Sequence, residues 1–380
     1  MPTISRDKIT RVETIPLRLP FKETFKFSAG TRPFVEVVIV RLHCESGLTG
    51  VGETQAWRRI GSNATVSNIV HDIDDILAPL IVGQSPFDIG PIMERLDRAL
   101  YHSLYSQASI SDALFDLKGK LLGVPVSDLL GGRYRDQIPI CAVLPIKDER
   151  EETLNRAKKF YEQGYRAFTV KVGTGLKDDV ANVRMLREHF GDDVILRVDA
   201  NAALDFDDAL TLMRGLQPFD VEVVEQPVAP WNLDGLAELA LRMPMAIMAD
   251  ESVAAPQDLL DIIRRRSATV IQTKQAKNGG IWGVQKLWTI AAAAGLRVYP
   301  GNHPATSIAS AAVAQMAAAY EGKLIEGPFA VGIGQFGTLA ADIVAEPLEI
   351  KGNLVTVPNR PGLGVTLDDD KIEQFRVCPK

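Results

Sequence analysis

From position 138 onwards, short apolar runs rich in β-branched residues alternate with stretches whose apolar residues recur at helical spacing. Apolar runs bounded by amphipathic helices are typical of buried parallel strands. The pattern predicts strands at 138–145, 168–172, 194–200, 221–226, 246–251, 269–274, 296–300 and 323–328, and helices near 150–163, 177–190, 206–216, 233–242, 255–265, 281–294 and 305–320. Eight strands alternating with helices favour a closed TIM-like (β/α) barrel over a dinucleotide-binding sheet, and no GxGxxG follows the first strand.

The first 130 residues follow a different pattern. Strand-like runs between positions 11 and 51 predict a meander, and helical spacing takes over between 66 and 122, which indicates an α+β domain. The sequence PVSDLLGG at 125–132 has the turn residues of a linker. We therefore expect an α/β protein with an N-terminal α+β domain at 1–130, a barrel at 131–340, and a C-terminal segment at 341–380 that packs on the first domain.

Composition restricts the class of partner. The 380 residues are 46% apolar and 24% charged, as in an ordinary globular protein, and the formal net charge of −6 gives no general attraction to nucleic acid or to an anionic membrane. The start lacks the features of a leader, and no stretch has the length of a membrane span, so a cytoplasmic location is expected. Cys44, Cys141 and Cys378 lie far apart and are interpreted as buried thiols.

Acidic residues end three successive predicted strands, and a lysine ends the strand on either side of them. Lys171, Asp199, Glu225, Asp250 and Lys274 follow one another at intervals of 24 to 28 residues, about one strand-helix unit each. Since the carboxyl ends of barrel strands meet at one mouth, we expect one site. Three converging carboxylates repel one another unless a cation neutralises them, and oxygen ligands suit Mg²⁺ or Mn²⁺.

Each of these residues has a simpler interpretation. A lone acid after a strand is commonly the N-cap of the next helix, and a lysine on a strand can form a structural salt bridge. Three acids in consecutive units favour the metal. Lys171 and Lys274, on either side, then suit proton transfer at the carbon next to a metal-bound carboxylate, through an enediolate-like intermediate.

The string from Lys171 through VDAN, VEQP, ADES and KQAKNGG resembles the enolase superfamily, and the lysine on the sixth strand places it with the muconate lactonizing enzyme subgroup. The match runs from VGE near the N-terminus to PNRPGLGVTLDD near the end. The resemblance implies an enolase-like fold whose N-terminal domain caps the barrel mouth. It also implies Asp199, Glu225 and Asp250 as Mg²⁺ ligands, Lys171 and Lys274 as the acid/base pair, and Asn201 as a nearby polar residue.

Two positions depart from that subgroup. Thr169 stands where the first lysine of Lys-x-Lys is usual, which removes a cation that would lower the pKa of Lys171. After the seventh strand, Ala305 stands where muconate cycloisomerases have a glutamate. His303 falls where mandelate racemases have a catalytic histidine; we interpret it as a substrate contact, the alternative being an ordinary loop residue.

The loops of the N-terminal domain are expected to supply substrate specificity. Phe25 and Phe27 near the first hairpin, with Trp57, Arg58 and Arg59, offer apolar walls beside two guanidinium groups that suit a second substrate carboxylate. The alternative is an exposed loop with solvated charge. By the same resemblance, Glu326 at the end of the eighth strand is a polar lining residue.

The sequence therefore predicts a Mg²⁺-dependent isomerase acting on a small carboxylate, with muconate cycloisomerase chemistry as the first hypothesis. A racemase or epimerase of an amino acid derivative is the second, because two opposed lysines also suit transfer of a proton between the faces of one carbon. Acid-sugar dehydration, with His303 as the general acid, is the third. A binding module without catalysis is disfavoured, and a homo-oligomer is expected.

Overall fold

An antiparallel meander forms the first layer of the protein, which we describe from a computed structural model that covers residues 6–27, 30–58, 62, 64–147, 149–325, 327 and 338–378 and gives no side chains for 25–27. Its strands are β1 (Ile9–Phe27), β2 (Gly30–Cys44) and β3 (Thr49–Gln55), hydrogen-bonded in the order β1-β2-β3. The predicted meander is correct, although β1 and β2 are longer than expected.

Helices cover this sheet. They are α1 (Val66–His71), a π-helical stretch (Asp72–Leu77), α2 (Ala78–Ile81), α3 (Ile89–Ala99), α4 (Leu104–Leu122) and α5 (Val126–Leu129). Helix α4 lies unusually close to β3 because Gly52 has no side chain; a Cβ there would lie 2.0 Å from the Ser109 carbonyl oxygen. The segment predicted as a linker is not wholly irregular. Helix α5 forms one turn within it, and Gly131 and Gly132 then adopt positive φ.

Strands and helices then alternate as the sequence predicts. After β4 (Gln137–Pro139) come β5 (Ala142–Leu144), α6 (Arg150–Glu162), β6 (Ala167–Lys171), α7 (Leu176–Phe190), β7 (Ile195–Asp199), α8 (Phe206–Leu216), β8 (Val221–Glu225), α9 (Leu233–Arg242), β9 (Ala246–Ala249), α10 (Pro256–Arg265), β10 (Val270–Lys274), α11 (Gly280–Ala293), β11 (Arg297–Gly301) and α12 (Ser307–Ala319). Strands β5 to β11 form a single parallel sheet in sequence order.

The eighth predicted strand joins the two edges of this curled sheet. Leu324 forms a parallel bridge with Val298 of β11, and Gly327 forms one with Ile140, just before β5. Backbone hydrogen bonds from Ile325 to Val298 and from Cys141 to Gly327 accompany them. Inside the ring, a separate apolar cluster consists of Val223, Met248, Val270, Tyr299 and Ile325. The predicted (β/α) barrel is thus present, and the described residues of its eighth predicted strand pair through these bridges.

The C-terminal segment returns to earlier parts of the chain. It contains β12 (Ile350–Lys351), β13 (Leu354–Thr356) and α13 (Asp369–Phe375); β12 and β13 form a small sheet with β4. Arg376 forms an antiparallel bridge with Leu17 of β1, which is the predicted direction of return. The exact domain limits of 1–130, 131–340 and 341–380 stay predictions.

Two sequence-based expectations about the surface have different outcomes. Over the residues described, no helix combines the length and apolarity needed to cross a bilayer. Cys44 and Cys141 are buried, as expected, but Cys378 is exposed, so the prediction of three buried thiols is wrong for that residue. Cys378 lies beyond α13, outside the cores of the cap and the barrel.

A buried carboxyl group joins the cap to the barrel. Asp112 of α4 is fully buried; its Oδ2 accepts from Gln275 Nε2 at 2.6 Å and its Oδ1 from the backbone N–H of Ile281 at 2.8 Å. Burial raises the pKa of Asp112 to about 8, and the nearby Glu53 and Asp116 add to the rise, whereas its two hydrogen bonds oppose it. The folded protein therefore retains a proton that the unfolded chain loses.

This proton predicts how stability depends on pH. Between about pH 4 and the folded-state pKa of about 8, Asp112 is ionised in the unfolded chain and protonated in the folded one, so its contribution to stability falls as pH rises. Asp112→Asn abolishes this contribution. Urea unfolding of both proteins from about pH 5 to pH 8 should therefore show the free-energy difference shifting progressively in favour of the variant. A constant difference across this range would contradict the assignment.

Candidate active site

Strand register sets three of the predicted residues side by side. Lys171 of β6 pairs with Asp199 of β7, and Asp199 pairs with Glu225 of β8, each at the carboxyl end of its strand. Lys171 Nζ donates to Asp199 Oδ2 and, at 2.9 Å, to Asn201 Oδ1. The sequence prediction that these groups converge is therefore correct for this half of the site.

The other half has the same arrangement. Asp250 follows β9, and Lys274 ends β10. The Nζ of Lys274 donates to Asp250 Oδ2. Both side chains are buried. The site therefore consists of two lysine–aspartate ion pairs, one buried (Lys274 with Asp250) and one partly buried (Lys171 with Asp199), with Glu225 on the strand between the two aspartates.

Glu225 is the carboxylate that these ion pairs leave least compensated. Its Oε1 is buried and has no hydrogen-bond partner among the described residues. Burial raises the pKa of Glu225 well above its usual value, as does repulsion from Asp199 and Asp250, while Lys274 and Lys171 offset part of the rise. Keeping Glu225 ionised therefore requires additional positive charge at this point.

Lys171 is held in its charged form by its neighbours. Burial lowers the pKa of Lys171, but attraction to Asp199, Glu225 and Glu251 outweighs burial, so the pKa is raised overall. Thr169, two positions earlier, is buried with its Oγ1 3.3 Å from Cys141 Sγ. Thr169 is neutral, so position 169 contributes no cation that would lower the pKa of Lys171.

The chemistry of these donors fits a divalent cation. Three carboxylates supply hard oxygen ligands, and one of them has a buried oxygen without a partner in the part of the chain that the structure describes. As their atoms are placed, however, no group of three His, Cys, Asp or Glu side chains among the described residues is arranged to hold a metal ion. Lysine ammonium groups bond to Asp199 and Asp250 instead. A cation held by all three would therefore require these aspartate oxygens to turn from lysine towards Glu225.

Sequence reasoning missed several residues that fix Asp250. Lys277 is buried, and its Nζ donates to Asp250 Oδ1 at 2.9 Å and to the Asp250 backbone carbonyl. Gln226, with φ of 36°, accepts through Oε1 from the backbone N–H groups of Asp250 and Ser252. Lys277 stands within the KQAKNGG motif, so the sequence drew attention to it without revealing its partner.

His303 lies in a stack of rings between the two domains. It is 2% exposed and packs against Trp57, with ring centroids 5.5 Å apart, and against Tyr105 of α4, whose hydroxyl lies 3.2 Å from His303 Nε2. The Arg32 guanidinium lies 4.4 Å from the centre of the Trp57 ring. His303 is therefore not a solvated loop residue, and the part played by Tyr105 was not predicted.

The remaining predicted contacts are only partly described. Arg58 is exposed, and its backbone carbonyl accepts from Arg32 at 2.6 Å. Asn201 lies against Lys171 and Asp199, with its Nδ2 3.1 Å from Asp199 Oδ2, and so braces the ion pair. Arg59, Glu326 and the side chain of Phe25 lie outside the described part of the chain, and their roles stay predictions.

Comparison with protein families agrees with this geometry along almost the whole chain. Residues 8–131 match the model for the mandelate racemase / muconate lactonizing enzyme N-terminal domain, and residues 152–371 match the enolase C-terminal domain-like model. The chain belongs to the mandelate racemase / muconate lactonizing enzyme family of the enolase superfamily. Enzymes of this family depend on a divalent metal ion. The predictions of the family, the enolase-like fold and an isomerase are confirmed.

Similar members of the family differ in activity. The chain is 30% identical to an N-succinyl-L-Arg/Lys racemase of Bacillus cereus, with 97% of this chain and 98% of the relative aligned. It is 31% identical to muconate cycloisomerase 1-2 of Acinetobacter lwoffii, over 97% and 95%. A muconate lactonizing enzyme from Pseudomonas fluorescens, crystallised with muconolactone, superimposes with a TM-score of 0.91 at 32% identity, covering 98% of this chain and all of the other.

Two glutamates on β8 should respond oppositely to loss of charge. In EDTA, Glu225→Gln removes a buried, repelled carboxylate and should raise the melting temperature by about 2 °C or more. Glu222→Gln is the matched control on the same strand. Arg197 and Arg297 lower the pKa of Glu222 against the effect of burial, so its loss should lower the melting temperature. If both variants melted below the wild type, Glu225 would not be under the repulsion inferred here.

Proposed function

We propose that this protein is a Mg²⁺-dependent cycloisomerase that forms a lactone from a muconate-like dicarboxylate. The observation that carries the proposal is a pair of ion-paired lysines, Lys171 on β6 and Lys274 on β10, that lie on either side of Glu225 on β8. This arrangement can bind one carboxylate of a small substrate and deliver a proton to the carbon beside it. Similarity to cycloisomerases over the full chain supports the same assignment.

Asp199, Glu225 and Asp250 are proposed to hold the metal. Their carboxylate oxygens suit Mg²⁺, with Mn²⁺ as the alternative. When bound, the ion supplies positive charge that stabilises negative charge on a substrate carboxylate oxygen. The ion would also provide a partner for Glu225 Oε1, which has none among the described residues, and would reduce the repulsion among the three acids.

Bond changes in the proposed reaction need no second reactant. One carboxylate oxygen of the substrate adds to the conjugated double bond and forms the C–O bond of the lactone. The displaced π electron pair moves towards the other carboxylate, and a lysine ammonium donates a proton to its α-carbon. Lys171 and Lys274 are both ion-paired ammonium groups, as this donor must be, and each is held in place by an aspartate.

Substrate contacts are proposed from the cap side of the mouth. Trp57 and His303, stacked on Tyr105, form a rigid wall at the junction of cap and barrel. Arg58, next to Trp57 in sequence, is proposed to receive the second carboxylate, and Arg59, Glu326 and Phe25 remain candidates for the same lining. A small carboxylate is thus the proposed partner; a homo-oligomer in the cytoplasm stays a prediction.

Racemisation or epimerisation is the second candidate, on a specific observation. The two lysines come from β6 and β10, with the three acid-bearing strands between them, so each approaches a bound substrate from its own side. Two such groups suit removal of an α-proton by one lysine and its return by the other. The racemase of Bacillus cereus aligns over as much of the chain as the cycloisomerases do.

Isotope incorporation should distinguish the two reactions. With Mg²⁺ in D₂O, a cycloisomerase should convert cis,cis-muconate to a lactone that carries one deuterium in a single configuration. A racemase should instead place deuterium at the α-carbon of both isomers of N-succinyl-arginine. NMR and mass spectrometry of the products would decide, and deuterium distributed over both configurations of the lactone would contradict the cycloisomerase mechanism.

Lysine substitutions test the proton-transfer roles. Lys171→Ala and Lys274→Ala should each lower kcat by about 10²-fold or more, because each loses a group proposed to transfer or stabilise charge at the α-carbon. Lys159→Ala, an exposed lysine on α6, is the matched control and should leave kcat unchanged. Full activity in both site variants would make the acid/base assignment wrong.

Metal binding can be tested without a substrate. About 5 mM MgCl₂ should raise the melting temperature of the EDTA-treated wild type by several degrees, since a ligand bound only by the folded state stabilises it. Glu225→Gln lacks one proposed ligand and should lose most of this rise. An equal rise in both proteins would place the ion elsewhere, and no rise in either would contradict the metal proposal.

A further inference from the structure

Two helices of the barrel are capped by acidic residues from the N-terminal domain. At the start of α11, the backbone N–H of Ile281 donates to Asp112 Oδ1 at 2.8 Å, and that of Trp282 donates to Ser111 Oγ at 3.0 Å. N-terminal N–H groups of a helix have no partners within the helix, and here α4 of the cap supplies them. Gly280 permits this approach, since a Cβ there would lie 2.7 Å from Asp112 Oδ1.

Glu53 of β3 does the same for α12. Its Oε2 accepts from Thr306 Oγ1 at 2.6 Å and from the backbone N–H of Ala309 at 3.1 Å, and its Oε1 accepts from the N–H of Thr306 at 3.1 Å. Glu53 is fully buried, and Thr306, to which it is bonded, lies three residues after His303. Two adjacent strand-to-helix loops of the barrel mouth are therefore bonded to the cap.

Gln275 ties the first of these contacts to the site. It follows Lys274 directly, and its Nε2 donates to Asp112 Oδ2 at 2.6 Å and to the backbone carbonyl of Glu53 at 2.7 Å. Both hydrogens of the Gln275 side-chain amide thus bond to the cap, and Gln275 is the residue next to Lys274 in the chain. All four side chains of this joint, Glu53, Asp112, Lys274 and Gln275, are buried.

The loop after Lys171 is built differently. There the backbone N–H groups of Gly173 and Gly175 donate to Asp179 of α7, at 2.9 and 3.4 Å, so the barrel's own helix closes the loop. The barrel also closes the loop after Lys274, since the backbone N–H of Lys274 donates to Asn278 Oδ1 at 2.7 Å. The difference between the two loops is the additional link from Gln275 to the cap.

We propose that Asp112 is a positioning residue that sets the location of Lys274 through Gln275, while Lys171 is positioned independently of it. The catalytic consequence rests on the proposed function of the two lysines. The structural consequence does not depend on it. Because displacement of a catalytic group by about 1 Å can cost as much as 10²-fold in rate, loosening this link should reduce kcat more than it affects substrate binding.

Amide hydrogen exchange tests the link without a substrate. Asp112→Asn replaces one carboxyl oxygen, which can accept a hydrogen bond whether or not the group is protonated, with an NH₂ group that can only donate. One of the two donors then loses its acceptor, so amides in 275–283 should exchange about tenfold faster or more. Amides in 172–179 should keep their wild-type rates. Ser111→Ala is the matched control, since it removes the bond to Trp282 but not the bond to Gln275. Unchanged exchange at 275–283 in Asp112→Asn would overturn the proposal whatever the reaction.

Steady-state kinetics test whether loss of this link impairs catalysis through Lys274. The substrate is cis,cis-muconate or N-succinyl-arginine, whichever the wild type converts. Asp112→Asn and Gln275→Met, which removes the donor from the other side, should each lower kcat about tenfold with KM within about twofold. The double variant should be no slower than the slower single variant, because both break one link. Ser111→Ala should keep kcat within about twofold even where it lowers the melting temperature.

The alternative outcomes separate the two proposals. If Asp112→Asn and Ser111→Ala lost kcat equally, or if the two losses in the double variant multiplied, Asp112 would be a general stabiliser and the positioning role would be overturned. If neither substrate were turned over, the proposed function would fail, while the exchange measurement would still decide the link between cap and barrel.

Discussion

Repulsion among three buried carboxylates is the constraint on which this active site depends. Asp199, Glu225 and Asp250 sit on consecutive strands, where burial strengthens every unfavourable interaction between like charges. Lys171 and Lys274 place an ammonium group at each end of this row of acids, and Lys277 places a third beside Asp250. Because a parallel barrel brings adjacent strand ends to one mouth, the three carboxylates and the lysines that end the flanking strands lie close together there.

The sequence predicted what periodicity and spacing encode. Strand ends carried the acids and lysines, so their convergence followed from the barrel, and most predicted helices begin and end within two residues of the observed ones. Contacts between residues far apart in sequence were not predictable in this way. The bond from Lys277 to Asp250, the stacking of Tyr105 on His303, and the caps supplied by Glu53 and Asp112 depend on side-chain directions that no local pattern records.

The candidate acid and lysine residues lie at the strand ends of the barrel. The chain is similar along nearly its whole length both to an N-succinyl-L-Arg/Lys racemase and to muconate cycloisomerases, so overall similarity does not by itself identify the substrate. The groups facing them across the junction, Trp57 with Arg32 and Tyr105, belong to the cap. The prediction that the cap supplies substrate specificity would be consistent with one arrangement of acids and lysines serving different substrates.

The caps that α4 and β3 lend to α11 and α12 also bear on how the chain folds. Helix starts buried without partners for their N–H groups are costly, and here the partners lie more than 160 residues earlier in sequence. During synthesis the N-terminal domain leaves the ribosome first and can fold before the last third of the barrel exists. The finished cap then offers Asp112 and Glu53 as a template on which these two helices begin, so the order of translation matches the order in which the contacts are needed.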